Sequence, residues 1–170
     1  MGCDIHGFLE IRQKSWICLK EIPKIRCYDI FGILAGVRNY INAKPISAPK
    51  GIPEDASEEA LEKINMWVFY GHSYSWLDWH EIKSYNWNQK FKDRKLSKID
   101  KKTGKELSKA LYFRGITGET EKGNYKYRFL ERTAENIAEK CGWKEFFVEM
   151  KKLAMEYGEH NVRIIFWFDN

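Results

Sequence analysis

The chain of 170 residues contains no apolar run approaching the roughly 20 residues that cross a bilayer. Its four cysteines form no CxxC pair, and it has neither a Walker loop nor a G-x-G-x-x-G segment. These absences exclude a membrane-spanning helix, a cysteine-clustered zinc motif and the two common glycine-rich phosphate loops. Since no secretory signal pattern opens the chain, we expect a cytoplasmic protein in which Cys3, Cys18, Cys27 and Cys141 are free thiols.

Hydrophobic residues make up 44% of the chain and aromatic residues 15%, which is enough for a folded core. At this length we expect one domain spanning residues 1–170. Seven tryptophans are unusual for this length, and some must pack inside. That many also supply flat surfaces on which a ring-shaped ligand could stack.

The net charge of +5 is concentrated in one segment. Residues 88–128 carry 13 Lys and Arg against five Asp and Glu, a local charge of +8, so the remainder is mildly acidic. Such a segment suits an anionic partner: a nucleotide, a nucleic acid or an acidic protein surface. A solvated lysine-rich insertion is the alternative, and the segment's two glycine-centred turns predict a hairpin-like insertion.

The rest of the chain predicts an α+β fold. Alternation over 3–12 and 15–22 predicts a hairpin, and the aromatic and β-branched residues of 162–170 predict a terminal strand. Helices are expected over 28–37, 57–64, 75–85, 132–142 and 143–158. We therefore expect a mixed or antiparallel sheet formed with both terminal strands, with helices packed on it.

Two helix starts carry capping signals. Asp55 followed by Glu58 forms a capping-box pattern, and Ser75 is placed to cap the helix over 75–85. Between the first two helices, residues 42–57 hold three of the four prolines and predict a long surface loop.

Asp4 and His6 lie two residues apart on the first predicted strand, so they share a face. "DIHG" resembles the first motif of calcineurin-like metallophosphoesterases, but that family's other motifs are absent. A metal-dependent phosphoesterase is therefore kept as an alternative only.

Further histidines and acids are of the types that build a site. His72, together with Asp4 and His6, is a candidate catalytic residue. Any divalent metal would be held by Asp4, His6, His72 and Asp169, although no standard zinc spacing occurs and a metal is not favoured. The structural alternatives are that Asp4 caps a turn or pairs with an arginine, and that His72 is a hydrogen-bonded histidine among aromatic residues.

Candidate ligand-binding residues are cationic or aromatic. Arg38, Lys50 and Arg114 could donate charge-assisted hydrogen bonds to phosphate oxygens. Ser73, Tyr74 and Trp76 follow His72 directly and could contact a base, by stacking in the case of the two aromatic rings.

Four stretches together resemble a family of small bacteriophage proteins that begin with MGCDIH and end in an FWFDN-like sequence. They are "MGCDIHGFLE", "FGILAGVR" with "PISAPKGIPEDAS", "GHSYSWLDWHE" and "RIIFWFDN". The resemblance implies a phage protein that acts in the host cytoplasm, and it implies no settled activity. It points to polar residues at Asp4, His6, Arg38, Asp55, His72, Ser73, Ser75, Trp76 and Asp169. Lys50 stands where many family members would have arginine, so a phosphate there would be held less specifically.

The leading hypothesis is a protein that binds a phosphate-bearing nucleotide, either sequestering it as a host defence signal or hydrolysing a phosphodiester with His6 oriented by Asp4. The alternative is an inhibitor without chemistry, which docks on a host protein or nucleic acid through the basic segment. In that case Lys98, Lys101, Lys102 and Lys105 would carry the binding. The oligomeric state is left open.

Overall fold

The computed structural model describes residues 2–170, leaving aside the side chain of residue 94. Within this range the strands are β1 Ile5–Arg12, β2 Trp16–Glu21, β3 Gly71–Asp78, β4 Lys90–Asp100, β5 Glu106–Ala110, β6 Thr120–Lys122, β7 Tyr125–Thr133 and β8 Val162–Asp169. The α-helices are α1 Tyr28–Ala35, α2 Glu58–Met66, α3 Trp79–Ser84, α4 Ala134–Lys140 and α5 Lys144–Tyr157, and a 3-10 helix spans Glu159–Asn161.

The chain divides into two compact units. The first runs up to Trp87 and resumes over Glu135–Asn170, and the second is Asn88–Ala134. The basic segment 88–128 lies wholly within the second unit. The expectation that residues 1–170 form one domain stays a prediction.

The first unit is built on an antiparallel sheet of strand order β2-β1-β8-β3. The strands nearest the two chain ends, β1 and β8, are its central pair. The predicted α+β class, with a sheet formed by both terminal strands, is confirmed.

Helices cover both faces of this sheet. Cross-strand partners point to the same face of a sheet, so one face carries His6, Phe8, Ile165 and Trp167. We call it the histidine face. Helix α2 packs on the histidine face through Ala60 and Ile64. The opposite face carries Phe168, against which Phe31 of α1 packs with ring centroids 5.2 Å apart.

The second unit is a separate antiparallel sheet of order β5-β4-β7-β6. Its small core consists of Leu96, Ile116 and Tyr127. Gly104 and Gly123 have φ angles of 69° and 56° in the β4–β5 and β6–β7 turns, so the predicted glycine-centred hairpins are confirmed.

Both predicted capping residues are wrong, although α2 begins close to where it was expected. Ser57 caps α2 by accepting a hydrogen bond from Ala60 N, because Asp55 is engaged elsewhere. The strand β3 continues to Asp78, which caps α3 in a capping box with Glu81. Ser75 instead lies inside that strand and pairs with Phe166.

Cys27 and Cys141 form a disulfide with Cα atoms 5.9 Å apart, so the expectation of free thiols holds only for Cys3 and Cys18. No helix in the described part of the chain is long and apolar enough to cross a membrane.

Candidate functional site

The end of the first sheet where β1 begins and β8 ends gathers several predicted site residues. His6 Nε2 lies 3.1 Å from Asp169 Oδ2, and Asp169 Oδ1 accepts a 2.9 Å hydrogen bond from Asp4 N. The His6 ring also lies against two indoles, with centroids 4.3 Å from Trp67 and 5.8 Å from Trp167. The partner that orients His6 is therefore Asp169 and not Asp4.

Asp4 is held by an arginine. Its carboxylate accepts two hydrogen bonds from Arg26, of 2.7 and 2.5 Å, and these hold its pKa below the usual range. Arg38, whose φ of 48° is in the left-handed region, donates to Asn170 Oδ1 at 2.9 Å. We call Asp4, His6, Arg26, Arg38 and Asp169 the strand-end cluster.

His72 does not join this cluster. Its ring stacks on Phe168 with centroids 6.1 Å apart, on the face opposite His6. The cause is a bulge between His72 and Ser75, where Ser73 has a φ of 52°. Without the extra residue, His72 would pair with Asp169 and lie on the histidine face. Ser73 instead contacts His72, with 2.9 Å between Oγ and Nδ1.

The structure therefore does not assemble the predicted metal ligands Asp4, His6, His72 and Asp169. Among the residues it describes, no group of three or more His, Cys, Asp or Glu side chains converges to hold a metal ion. The predicted catalytic trio of Asp4, His6 and His72 is likewise divided between the two faces.

Lys50 and Trp76 do come together, but they bind one another. Lys50 Nζ lies 3.6 Å from the centre of the Trp76 ring. Both carboxylate oxygens of Glu81 accept hydrogen bonds from Lys50 Nζ, at 2.8 and 2.7 Å. A base that stacked on this side of Trp76 would have to displace a cation that is already paired. Tyr74 is also engaged, stacking on Trp167 with centroids 6.2 Å apart.

The predicted ligand-binding residue Arg114 lies in the second unit, exposed in the β5–β6 connection. In the same unit the β4–β5 and β6–β7 turns lie side by side, because Asp100 pairs with Tyr125 and Lys101 N donates a 2.9 Å hydrogen bond to Asn124 O. We call the lysines of these turns and of the strand residues that flank them the lysine end: Lys98, Lys101, Lys102, Lys105, Lys122 and Lys126.

Acidic side chains neutralise the lysine end only in part. Lys101 Nζ pairs with Glu121 at 2.9 Å, and Lys98 Nζ lies 3.9 Å from the centre of the Tyr125 ring. The exposed side chains of Lys102, Lys105 and Lys122 pair with no acid within the described residues. The Asp100 carboxylate is bonded within its own turn, where it accepts hydrogen bonds from Lys102 N and Thr103 N at 2.9 and 2.7 Å. The result is a positive surface at one end of the sheet.

No family model, curated protein or solved structure matches the chain. The resemblance to small bacteriophage proteins therefore stays a prediction, and the side-chain geometry carries the functional argument.

Sequence reasoning missed two features of the first unit. Trp67, which is partly buried and lies against His6, is followed in the chain by Phe69, 89% exposed, and Tyr70, 74% exposed. His160 lies against His80 with ring centroids 4.7 Å apart. The three aromatic residues within 67–70 were a signal for the exposed aromatic segment. No spacing in the sequence indicates that residues 80 and 160 are neighbours.

Proposed function

We propose that the protein binds nucleic acid through the lysine end of its second unit. The observation that carries this proposal is the hydrogen bond between Lys101 N and Asn124 O, 2.9 Å long, because it holds two lysine-bearing turns at one place. A lysine ammonium is a compact point charge that can pair with a phosphate and need not contact a base. The proposed binding is therefore to the phosphate backbone and is independent of sequence.

The alternative of a single pocket around His6 and His72 is less well supported. The two imidazoles lie on opposite faces, and the cation–ring pair of Lys50 and Trp76 is satisfied internally. By contrast, Lys102, Lys105 and Lys122 are exposed cations without an acidic partner among the described residues. Together with the resemblance to bacteriophage proteins, this supports a protein that acts on nucleic acid in the cytoplasm of an infected host.

The test is a charge reversal with a matched control. The variant Lys102→Glu/Lys105→Glu/Lys122→Glu changes the lysine end, and Lys14→Glu/Lys63→Glu/Lys152→Glu changes the net charge equally on exposed lysines of the first unit. Binding to a labelled duplex and to a labelled single strand is measured by fluorescence anisotropy at low salt. We expect the first triple to weaken binding roughly tenfold or more, and the control to change it far less.

Equal weakening by both triples would mean that only net charge matters and would contradict a localised surface. Absence of binding by the wild-type protein at low salt would also contradict the proposal, and would direct the search to an acidic host protein as the partner of the lysine end.

A second candidate function rests on the strand-end cluster. His6 is held by Asp169 and lies against two indoles, and the exposed rings of Phe69 and Tyr70 follow Trp67 in the chain. These groups could stack on a base, with Arg38 donating to a phosphate. The ligand would be a phosphate-bearing nucleotide, and if it is cleaved, His6 oriented by Asp169 would act as the general base.

Thermal unfolding against a panel of cyclic and linear nucleotides tests this second candidate. A bound nucleotide at about a hundred times its dissociation constant should raise the Tm by several degrees. His6→Ala and Arg38→Gln should remove that rise, whereas His72→Gln, on the opposite face, should retain it. A Tm that no nucleotide changes, or a rise lost equally in His72→Gln, would contradict a site at the strand-end cluster.

A further inference from the structure

His80 and His160 form a pair of exposed imidazoles in the first unit, outside both sites described above. His80 lies in α3 and His160 in the 3-10 helix Glu159–Asn161. Their ring centroids are 4.7 Å apart with an angle of 36° between the planes, and the side chains are 50% and 68% exposed.

Each imidazole is held by a carboxylate from the other segment. His160 Nδ1 lies 2.7 Å from Asp78 Oδ2, at the start of α3, and His80 Nδ1 lies 3.2 Å from Glu159 Oε2. Both carboxylates are themselves fixed. Asp78 Oδ1 accepts a 2.8 Å hydrogen bond from Glu81 N, and Glu159 also pairs with Lys83.

This arrangement determines which ring nitrogen is free to bind. A carboxylate accepts a hydrogen bond, so the proton of each neutral ring lies on Nδ1 and the lone pair on Nε2. Neither Nε2 is hydrogen-bonded within the described residues. Carboxylates bound to the far nitrogen are the usual outer partners of metal-binding histidines, which they orient and make more basic.

We propose that His80 and His160 bind one divalent transition metal ion, of the Zn²⁺, Cu²⁺ and Ni²⁺ class, through their two Nε2 atoms. Imidazole suits these ions, whereas Mg²⁺ and Ca²⁺ prefer oxygen ligands. Ring centroids 4.7 Å apart are compatible with two imidazoles that bind one ion through metal–nitrogen bonds of about 2.0–2.1 Å. The site provides two protein ligands, so water fills the remaining positions.

The proposal is independent of nucleic-acid binding, since both histidines belong to the first unit and the lysine end belongs to the second. Failure of one proposal therefore leaves the other standing.

The test is calorimetric titration of the tag-free, full-length protein with Zn²⁺, followed by Cu²⁺ binding observed by electron paramagnetic resonance. We expect one Zn²⁺ per chain and a Cu²⁺ spectrum with coupling to two imidazole nitrogens. His80→Gln and His160→Gln should each reduce affinity at least tenfold and leave coupling to one nitrogen. Asp78→Asn, which still caps α3 because asparagine is also a good cap, should weaken binding by about 10–100-fold.

Unchanged Zn²⁺ affinity in both histidine variants, or no Zn²⁺ binding by the wild-type protein, would overturn the proposal. Weakened binding in His80→Gln and His160→Gln with full affinity in Asp78→Asn would show that the carboxylate does not position the ring, and would reduce the site to two adventitious surface histidines. Circular dichroism of each variant establishes that the loss is local.

Discussion

At the scale of single residues, a buried ion pair links the histidine face to the loop before α2. Glu10 is 0% and Arg163 3% exposed, and Arg163 Nε donates to Glu10 Oε2 at 2.8 Å. Their remaining polar atoms are also bonded: Glu10 Oε1 accepts from Ser57 N at 3.0 Å, and Arg163 Nη1 donates to Asp55 Oδ1 at 2.8 Å. Because a buried charge is costly unless paired, this network explains why Asp55 binds Arg163 instead of capping α2.

Asp55 gives a prediction about acid stability. Burial acts to raise its pKa, but hydrogen bonds from Arg163 and Trp16 outweigh burial and lower it. A carboxylate with a lowered folded pKa stabilises the fold above its unfolded value of about 4 and loses that contribution as pH falls through the folded pKa. We therefore expect the free energy of unfolding to fall less steeply below pH 4 in Asp55→Asn than in the wild-type protein.

Urea denaturation from neutral pH to about pH 2.5 measures this difference over the range in which an aspartate of lowered pKa titrates. Glu54→Gln is the control, because the neighbouring Glu54 side chain bonds to no described residue. If the free energy of unfolding fell as steeply below pH 4 in Asp55→Asn as in the wild-type protein, Asp55 would not be the source of the acid sensitivity.

At the scale of elements, the central strands β1 and β8 approach closely at one position that requires glycine. A Cβ atom on Gly7 would lie 2.1 Å from the carbonyl oxygen of Ile165 and 2.8 Å from Phe166 Cα. These are backbone atoms, so a rotamer change cannot relieve the overlap. We expect Gly7→Ala to destabilise the protein by about 1–3 kcal/mol or more, as overpacking does.

Chemical denaturation measures the loss, and Gly118→Ala is the matched control because a Cβ there meets nothing within 4 Å. If Gly7→Ala were as stable as Gly118→Ala, the described pairing of β1 with β8 would be wrong at this point.

The sequence predicted elements well where a pattern is long and local. The strand predicted over 162–170 and the helix predicted over 143–158 are both confirmed, as β8 and α5. The predicted start of α3 was wrong because both Ser75 and Asp78 are suitable N-cap residues. The pairing of β3 with β8 keeps Ser75 in the strand, so Asp78 is the cap. That pairing joins residues about 90 positions apart, so no local signal contains it.

At the scale of the whole molecule, the candidate sites depend on contacts that sequence reasoning could not supply. Asp4, His6 and Asp169 were grouped from the sequence only as possible metal ligands together with His72, and the structure brings these three together at one sheet end through contacts of Asp169. The face of His72 was not predictable, since one extra residue at Ser73 reverses the alternation of side chains along β3. Similarly, the charge of segment 88–128 was evident, but the contact between its two turns was not.

The lysine end is the central functional claim, and the salt dependence of binding tests it most directly. Each lysine–phosphate contact releases counterions and contributes about −0.9 to the slope of log K against log salt for duplex DNA. We compare the wild-type protein with Lys102→Gln/Lys105→Gln/Lys122→Gln on one duplex. Loss of three contacts should flatten the slope by about 2.7. An unchanged slope in this variant would contradict nucleic-acid binding through the lysine end.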